Sequence, residues 1–149
     1  MCGLVGFRSF DSVPDGHATL ARAMADRIRH RGPDGEGVWV DPEAGFAVAH
    51  RRLAILDLSS AGHQPMRSGS GRWVLAYNGE VYNHLHLREQ LHAEGAALQW
   101  RGHSDTETLL ACFEAWGIAR TLQASVGMFA IALWDRDRKS TRLNSSHRH

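Results

Sequence analysis

A cysteine stands at position two, between the initiator methionine and Gly3, in the stretch MCGLVGF. Once Met1 is removed, which the small side chain of Cys2 permits, one residue holds both a thiol and an α-amine with a reference pKa of about 7.7–8.0. Nucleophilic cysteines act as thiolates and need an adjacent base or electropositive surroundings, and an N-terminal amine meets that need without a histidine. The competing reading is a small apolar residue that starts a strand. Three further groups carry potential chemistry. In HRRLAIL, a guanidinium fork at Arg51 or Arg52 suits a carboxylate bidentately or lies on a strand surface. Neighbours in a strand point to opposite faces, so only one of the two can reach a given site. Asp105, in GHSDTE, is placed to complement the dipole of a following helix. Asn78-Gly79 after the apolar RWVLAY is a strong hairpin signal, yet EVYNHLHLREQL turns helical after Asn83 where a hairpin needs an alternating strand.

The remaining candidates are structural. His50, His63, His84, His86, His92 and His103 form no pair with Cys or acid at metal-ligand spacing, so no metal site is expected. Cys112 sits in an apolar helical stripe and reads as core. SGSG at 68–71 lacks the spacing and lysine of a phosphate loop and reads as a hairpin turn.

These residues need elements to hold them. CGLVGFRSF (2–10) reads as a strand whose glycines allow close backbone approach. Asp15 to His30 reads as a helix, with Leu20, Met24 and Ile28 recurring every four residues beside Ala21 and Ala25, ended by Gly32 and Pro33 in RGPDGEG. VWV (38–40), FAVAHRRLAIL (46–56) and RWVLAYN (72–78) read as strands. Asn83 is placed to cap a helix that Gly95 stops. Ser104 and Glu107 have capping-box spacing, ahead of an apolar stripe through Leu109, Leu110, Cys112, Phe113 and Trp116 that stops at Gly117. VGMFAIALWD (126–135) is apolar nearly throughout, as in a strand covered on both faces. The element order predicts a layered α+β domain.

The 149 residues suit one domain with a sizeable core. With 22% charged and 43% hydrophobic residues, the composition is that of a globular protein, and no run reaches the roughly 20 apolar residues of a membrane span. MCGLVGFRSFD has no basic leader, so a cytoplasmic location is expected, with both cysteines as free thiols. The formal charge of +1 hides an uneven end: residues 1–138 hold fourteen basic against sixteen acidic residues, while KSTRLNSSHRH adds three bases and no acid. No basic face for nucleic acid is implied. The tail from about residue 139 looks foreign to the fold, which places the domain at 1–138 and a non-native tail at 139–149.

MCGLVGF, RHRGPDGEG, HRRLAILDLSSAGHQPM, YNGEVYN and GHSDTETLL together resemble, in order and spacing, the glutamine-hydrolysing domain of asparagine synthetases. That domain is a class II glutamine amidotransferase. RGPDG with NGEVYN resembles the asparagine synthetase branch more than its phosphoribosylamine- or glucosamine-forming sisters. The resemblance implies the N-terminal nucleophile hydrolase fold, a four-layer αββα sandwich truncated here at its C-terminus. It implies Cys2 as nucleophile, with the Asn78 amide and the Gly79 N–H as oxyanion hole. It assigns Arg52 to the α-carboxylate of L-glutamine, Asp105 to its α-ammonium, and Glu80 with the backbone of Ala54, Ile55 and Leu56 to the same pocket. RHRGPDGEG is expected beside the nucleophile.

In that family, ammonia passes to a synthetase domain where ATP, with Mg, adenylates aspartate. No Ser-Gly-Gly-x-Asp-Ser loop occurs here, so ATP and Mg are expected only of a missing domain, with no cofactor in this fragment. A homodimer is a possible assembly of the full-length protein. The family domain runs further, so the strand at 126–135 is expected to expose an edge. Two alternatives stay open: an amidotransferase for a sugar or peptide acceptor, and a non-catalytic binding domain of the same fold.

Overall fold

In the computed structural model, residues 2–10, 16–53, 60–96 and 98–148 are described, with backbone alone at 60 and 141–148. Two antiparallel sheets stack face to face. The first orders β1 (Gly3–Arg8), β3 (Phe46–Arg52) and β2 (Gly35–Asp41) with β3 central. The second runs β4 (Met66–Arg67), β5 (Trp73–Val81), β6 (Gly127–Asp135) and β7 (Ser140–Arg148).

Period-two alternation in β3 builds the layers. Phe46 and Val48 face the second sheet and pack with Val74, Ala76, Ala132 and Trp134. Phe46 and Trp134 stack with ring centroids 4.2 Å apart. Ala47 and Ala49 face outward onto Ala21 and Ala25 of helix α1 (His17–Arg27). On the far side of the second sheet, Leu75, Tyr77, Phe129, Ile131 and Leu133 pack against Leu109, Leu110, Cys112 and Phe113 of α3 (Asp105–Ala124), and Leu87 and Leu91 of α2 (His84–Ala93) join them. The order helix, sheet, sheet, helix is the expected α+β sandwich.

Several local expectations change. In α1 the buried residues are His17, Ala21 and Ala25, while Leu20 is 52% exposed. Alanine against alanine lets the helix approach the sheet closely, which a leucine stripe would prevent. The helix also ends at Arg27, and a short 3-10 turn at Arg29–Arg31 leads into Gly32. Asn83 precedes α2, but its side chain makes no cap: Nδ2 donates to Ala124 O at 2.9 Å and Oδ1 accepts from Val126 N at 2.9 Å. Gly95 stops α2 at φ +77°, as expected. Ser104 caps α3 by accepting from Glu107 N, and the helical backbone breaks at Gly117, at φ 76° and ψ −180°, as expected, before a second helical run continues to Ala124.

Asn78-Gly79 is no hairpin turn. Both lie inside β5, paired with Ala130 and Phe129 of β6. Gly79 sits at φ +144°, and a Cβ there would come within 2.5 Å of Phe129 Cα, so only glycine fits. SGSG does turn between β4 and β5, through Ser68 N donating to Trp73 O and Gly71 N to Ser68 O. The strand at 126–135 is not an edge: β7 pairs along it from Asp135↔Ser140 to Gly127↔Arg148, so residues read as a tail supply its neighbour. Cys112 is fully buried, and burial pushes its thiol up to about 12, consistent with a core residue.

Candidate active site

The thiol of Cys2 lies where β1 meets the end of β3. Its Sγ accepts from Leu53 N at 3.3 Å and stands 3.6 Å from Leu53 O. It is a free, partly buried thiol held by backbone polar groups. Register explains the placement: Gly3 pairs with Arg51, so the residue before it falls beside the residues after it. The RHRGPDGEG loop closes over the same point. Arg31 Nε donates to Cys2 O at 3.3 Å, and Asp34 N donates to Arg52 O at 3.0 Å. Any Cβ on Gly32 would strike the Arg51–Arg52 peptide, which is why a glycine is needed there.

Arg51 and Arg52 part company as the strand geometry requires. Arg51, 3% exposed, turns to α1: its Nε donates to Ala25 O at 3.2 Å, its Nη2 pairs with Asp26, and its Nη1 pairs with Glu36 at 2.7 Å. Arg52 takes the face shared with Phe46, Val48 and His50, toward the second sheet. Its guanidinium rests against the Cα of Gly62, whose missing side chain makes the room. Leu4 packs into the layer between the sheets, so alternation along β1 turns Cys2 to that same face.

Across the gap, alternation puts Asn78 on the face of β5 that carries Val74 and Ala76, and its side chain makes no hydrogen bond among the described residues. The free edge of β5 supplies the rest of the site. β4 runs beside β5 only at Val74 and Leu75, so the edge groups further along find side chains in its place. Tyr77 N donates to Gln64 Oε1 at 2.6 Å, and Tyr77 O bonds to His50 Nε2 at 3.0 Å. Val81 N donates to Asp105 Oδ2 at 2.9 Å. By the same alternation the Gly79 N–H, between these two, points to that edge, and no side chain among the described residues takes it. Asp105 Oδ2 also accepts from the Tyr77 hydroxyl at 2.7 Å. Glu80 is exposed beside Asn78 and Gly79.

The electrostatics are consistent with a neutral support behind a charged site. His50 is 1% exposed; burial, opposed by its bond to Tyr77 O and helped by Arg52 and His63, lowers it to about 4. It is therefore uncharged at neutral pH, and its Nε2–H donates to the carbonyl. Burial first, then the Asp105 carboxylate, raises the Tyr77 hydroxyl far above its usual range, so it stays a donor.

Cys2 and Arg52 thus lie at the end of β3, and Asn78, Gly79 and Asp105 lie along the open half of β5, with Glu80 exposed beside them. Ala54, Ile55 and Leu56 lie outside the described residues. Clefts of about 760 Å³ beside Trp39, Arg72 and Lys139 and about 630 Å³ beside Trp100 and Arg101 include none of these residues. Of four supporting residues, Gly62, Gln64 and Tyr77 carried no expectation from sequence, and His50 was weighed only as a metal ligand. A histidine alternating with Phe46 and Val48 on a buried strand was the available signal for one of them.

Residues 1–147 match the family described as the glutamine amidotransferase domain. The chain belongs to that family. Among curated relatives of this amidotransferase domain, asparagine synthetase [glutamine-hydrolyzing] 2 of Bacillus subtilis is 37% identical over 96% of the chain. Asparagine synthetase B of Escherichia coli is 36% identical over 99%. The chain spans 18% and 25% of those two proteins. A solved structure, glutamine phosphoribosylpyrophosphate amidotransferase from B. subtilis, superposes on 89% of the chain and 35% of its own with a TM-score of 0.64 at 21% identity, a likeness of fold.

Proposed function

We propose that this domain hydrolyses L-glutamine to glutamate and ammonia, with Cys2 as nucleophile. The thiolate attacks the side-chain carboxamide carbon, and a tetrahedral oxyanion forms. Asn78 Nδ2 and the Gly79 N–H receive that charge. Collapse expels ammonia, which takes its proton from the α-amine of Cys2, and a γ-glutamyl thioester remains. Water, deprotonated by the same amine, then cleaves the thioester and returns the thiol. Arg52 holds the α-carboxylate and Asp105 the α-ammonium, with Glu80 at the rim, so a free amino acid is selected over a peptide.

One observation carries this reading: the Cys2 thiol accepts from the backbone N–H of Leu53, one residue beyond Arg52. In the same reading, the ammonia feeds ATP- and Mg-dependent asparagine synthesis in a synthetase region beyond these residues, in a cytoplasmic, homodimeric protein. The relatives' names support this acceptor over a sugar or peptide. Among the described residues, no helix is long and apolar enough to cross a membrane.

The test is the mass of the intact protein after incubation with 6-diazo-5-oxo-L-norleucine, whose diazomethyl carbon forms a thioether with the thiol as dinitrogen leaves. One adduct on Cys2, abolished by Cys2→Ala and by retention of Met1, is expected. Labelling at Cys112, or none, overturns the reading in favour of a binding domain.

A further inference from the structure

Resting on the glutamine reading, we infer that Tyr77 is a positioning residue that makes Asp105 a one-oxygen clamp and thereby sets the preference for ligands with an α-ammonium. Both hydrogen bonds to the Asp105 carboxylate fall on the same oxygen: Oδ2 accepts from the Tyr77 hydroxyl at 2.7 Å and from Val81 N at 2.9 Å. Oδ1 has no hydrogen-bond partner among the described residues. A carboxylate held by one donor still turns about its bonds, whereas two donors from different directions fix its plane. The remaining oxygen then faces one way, and a charge-assisted bond to an ammonium gains from not having to be ordered first.

Tyr77 is equipped for this role. Its ring is 3% exposed and packs on Phe129 with centroids 6.4 Å apart. Its backbone is held on both sides, N–H by Gln64 and C=O by His50, so the hydroxyl cannot drift from Asp105. Gln64 Nε2 continues to Thr106 Oγ1 at 3.3 Å, which ties the start of α3 to the same strand residue. Tyr77 is also the residue before Asn78, so one side chain registers the ammonium clamp against the oxyanion donors. It touches no reacting atom; it acts through Asp105.

The experiment compares alkylation of Cys2 by 6-diazo-5-oxo-L-norleucine with alkylation by 6-diazo-5-oxohexanoate, which has the same reacting group and carboxylate but no α-amine. Tyr77→Phe removes one oxygen and keeps the packed ring; circular dichroism checks its fold. Its KI for the amino probe is expected to rise about tenfold, the scale of one hydrogen bond to a charged group, with kinact unchanged. Its KI for the des-amino probe stays at the wild-type value. Equal weakening toward both probes, or none toward either, overturns the inference. In an Asp105→Asn background, Tyr77→Phe is expected to add nothing, and additive losses overturn it as well. Wild-type protein that neither probe labels at Cys2 refutes the glutamine reading and takes this inference with it.

Discussion

The two halves of β5 are built on opposite principles. From Trp73 to Ala76 the strand lies between apolar layers, with β6 on one edge and β4 on the other at Val74 and Leu75. From Tyr77 to Val81 it keeps β6 but loses β4, and side chains from β3, the 60–65 segment and α3 cap its open edge. The first half is specified by shape and hydrocarbon. The second is specified by a few directional bonds, which hold a backbone in place and still leave a donor for a ligand. A fully paired strand is more stable but has no such donor.

The contrast is broken most severely from the apolar half. Trp134 is fully buried, stacks on Phe46 and donates to Asp41 at 3.2 Å. Trp134→Ala is expected to cost about 3–5 kcal/mol in chemical denaturation and to abolish activity only through unfolding. Asn78→Ala, in the polar half, should reverse the pattern, with about 2.7–4 kcal/mol lost from transition-state stabilisation in glutaminase assays and an unchanged melting temperature.

His50 joins the halves and gives the next largest effect. Its folded pKa of about 4 lies below its ordinary 6.5, chiefly through burial, so the unfolded chain binds the proton first. Its contribution is complete above about pH 6.5 and is lost as pH falls toward 4, about 3 kcal/mol in all. Urea unfolding of His50→Gln at pH 7 and 4.5 should show that slope removed. The smallest expected change is Gly62→Ala. The new methyl meets only the mobile end of Arg52, so stability holds while KM for glutamine rises about tenfold.

The same division governs what the sequence disclosed. Apolar periodicity exposed the layers and the core position of Cys112, because burial acts on residue type alone. Spacing set Arg51 and Arg52 on opposite faces, and the family resemblance chose between them. The four-residue repeat in α1 left open which stripe is buried: Leu20 is exposed and the alanines beside it are buried, since which stripe faces inward depends on how closely the sheet can be approached. Asn83 was misread because a cap and a long-range bridge use the same amide. Gly117 was legible as a stop because its positive φ breaks the helix there, whereas nothing in its type says that a second helical run follows. Motif order nominates Cys2, Arg52, Asn78, Gly79 and Asp105 as candidates, whereas Gln64 and Tyr77 act through partners 13 and 28 positions away, and nothing local marks such pairs.

Ala47 and Ala49 decide which arginine faces the second sheet. Sliding β3 by one position would send Val48 and Phe46 under α1, where Ala21 and Ala25 leave space only for a methyl group, and would bring His50 or Arg52 into the pocket of acids that Arg51 occupies. The smallest side chains of the strand therefore act as its proofreaders: they make the frame-shifted pairing too bulky to close, and they do so from the face opposite to the chemistry.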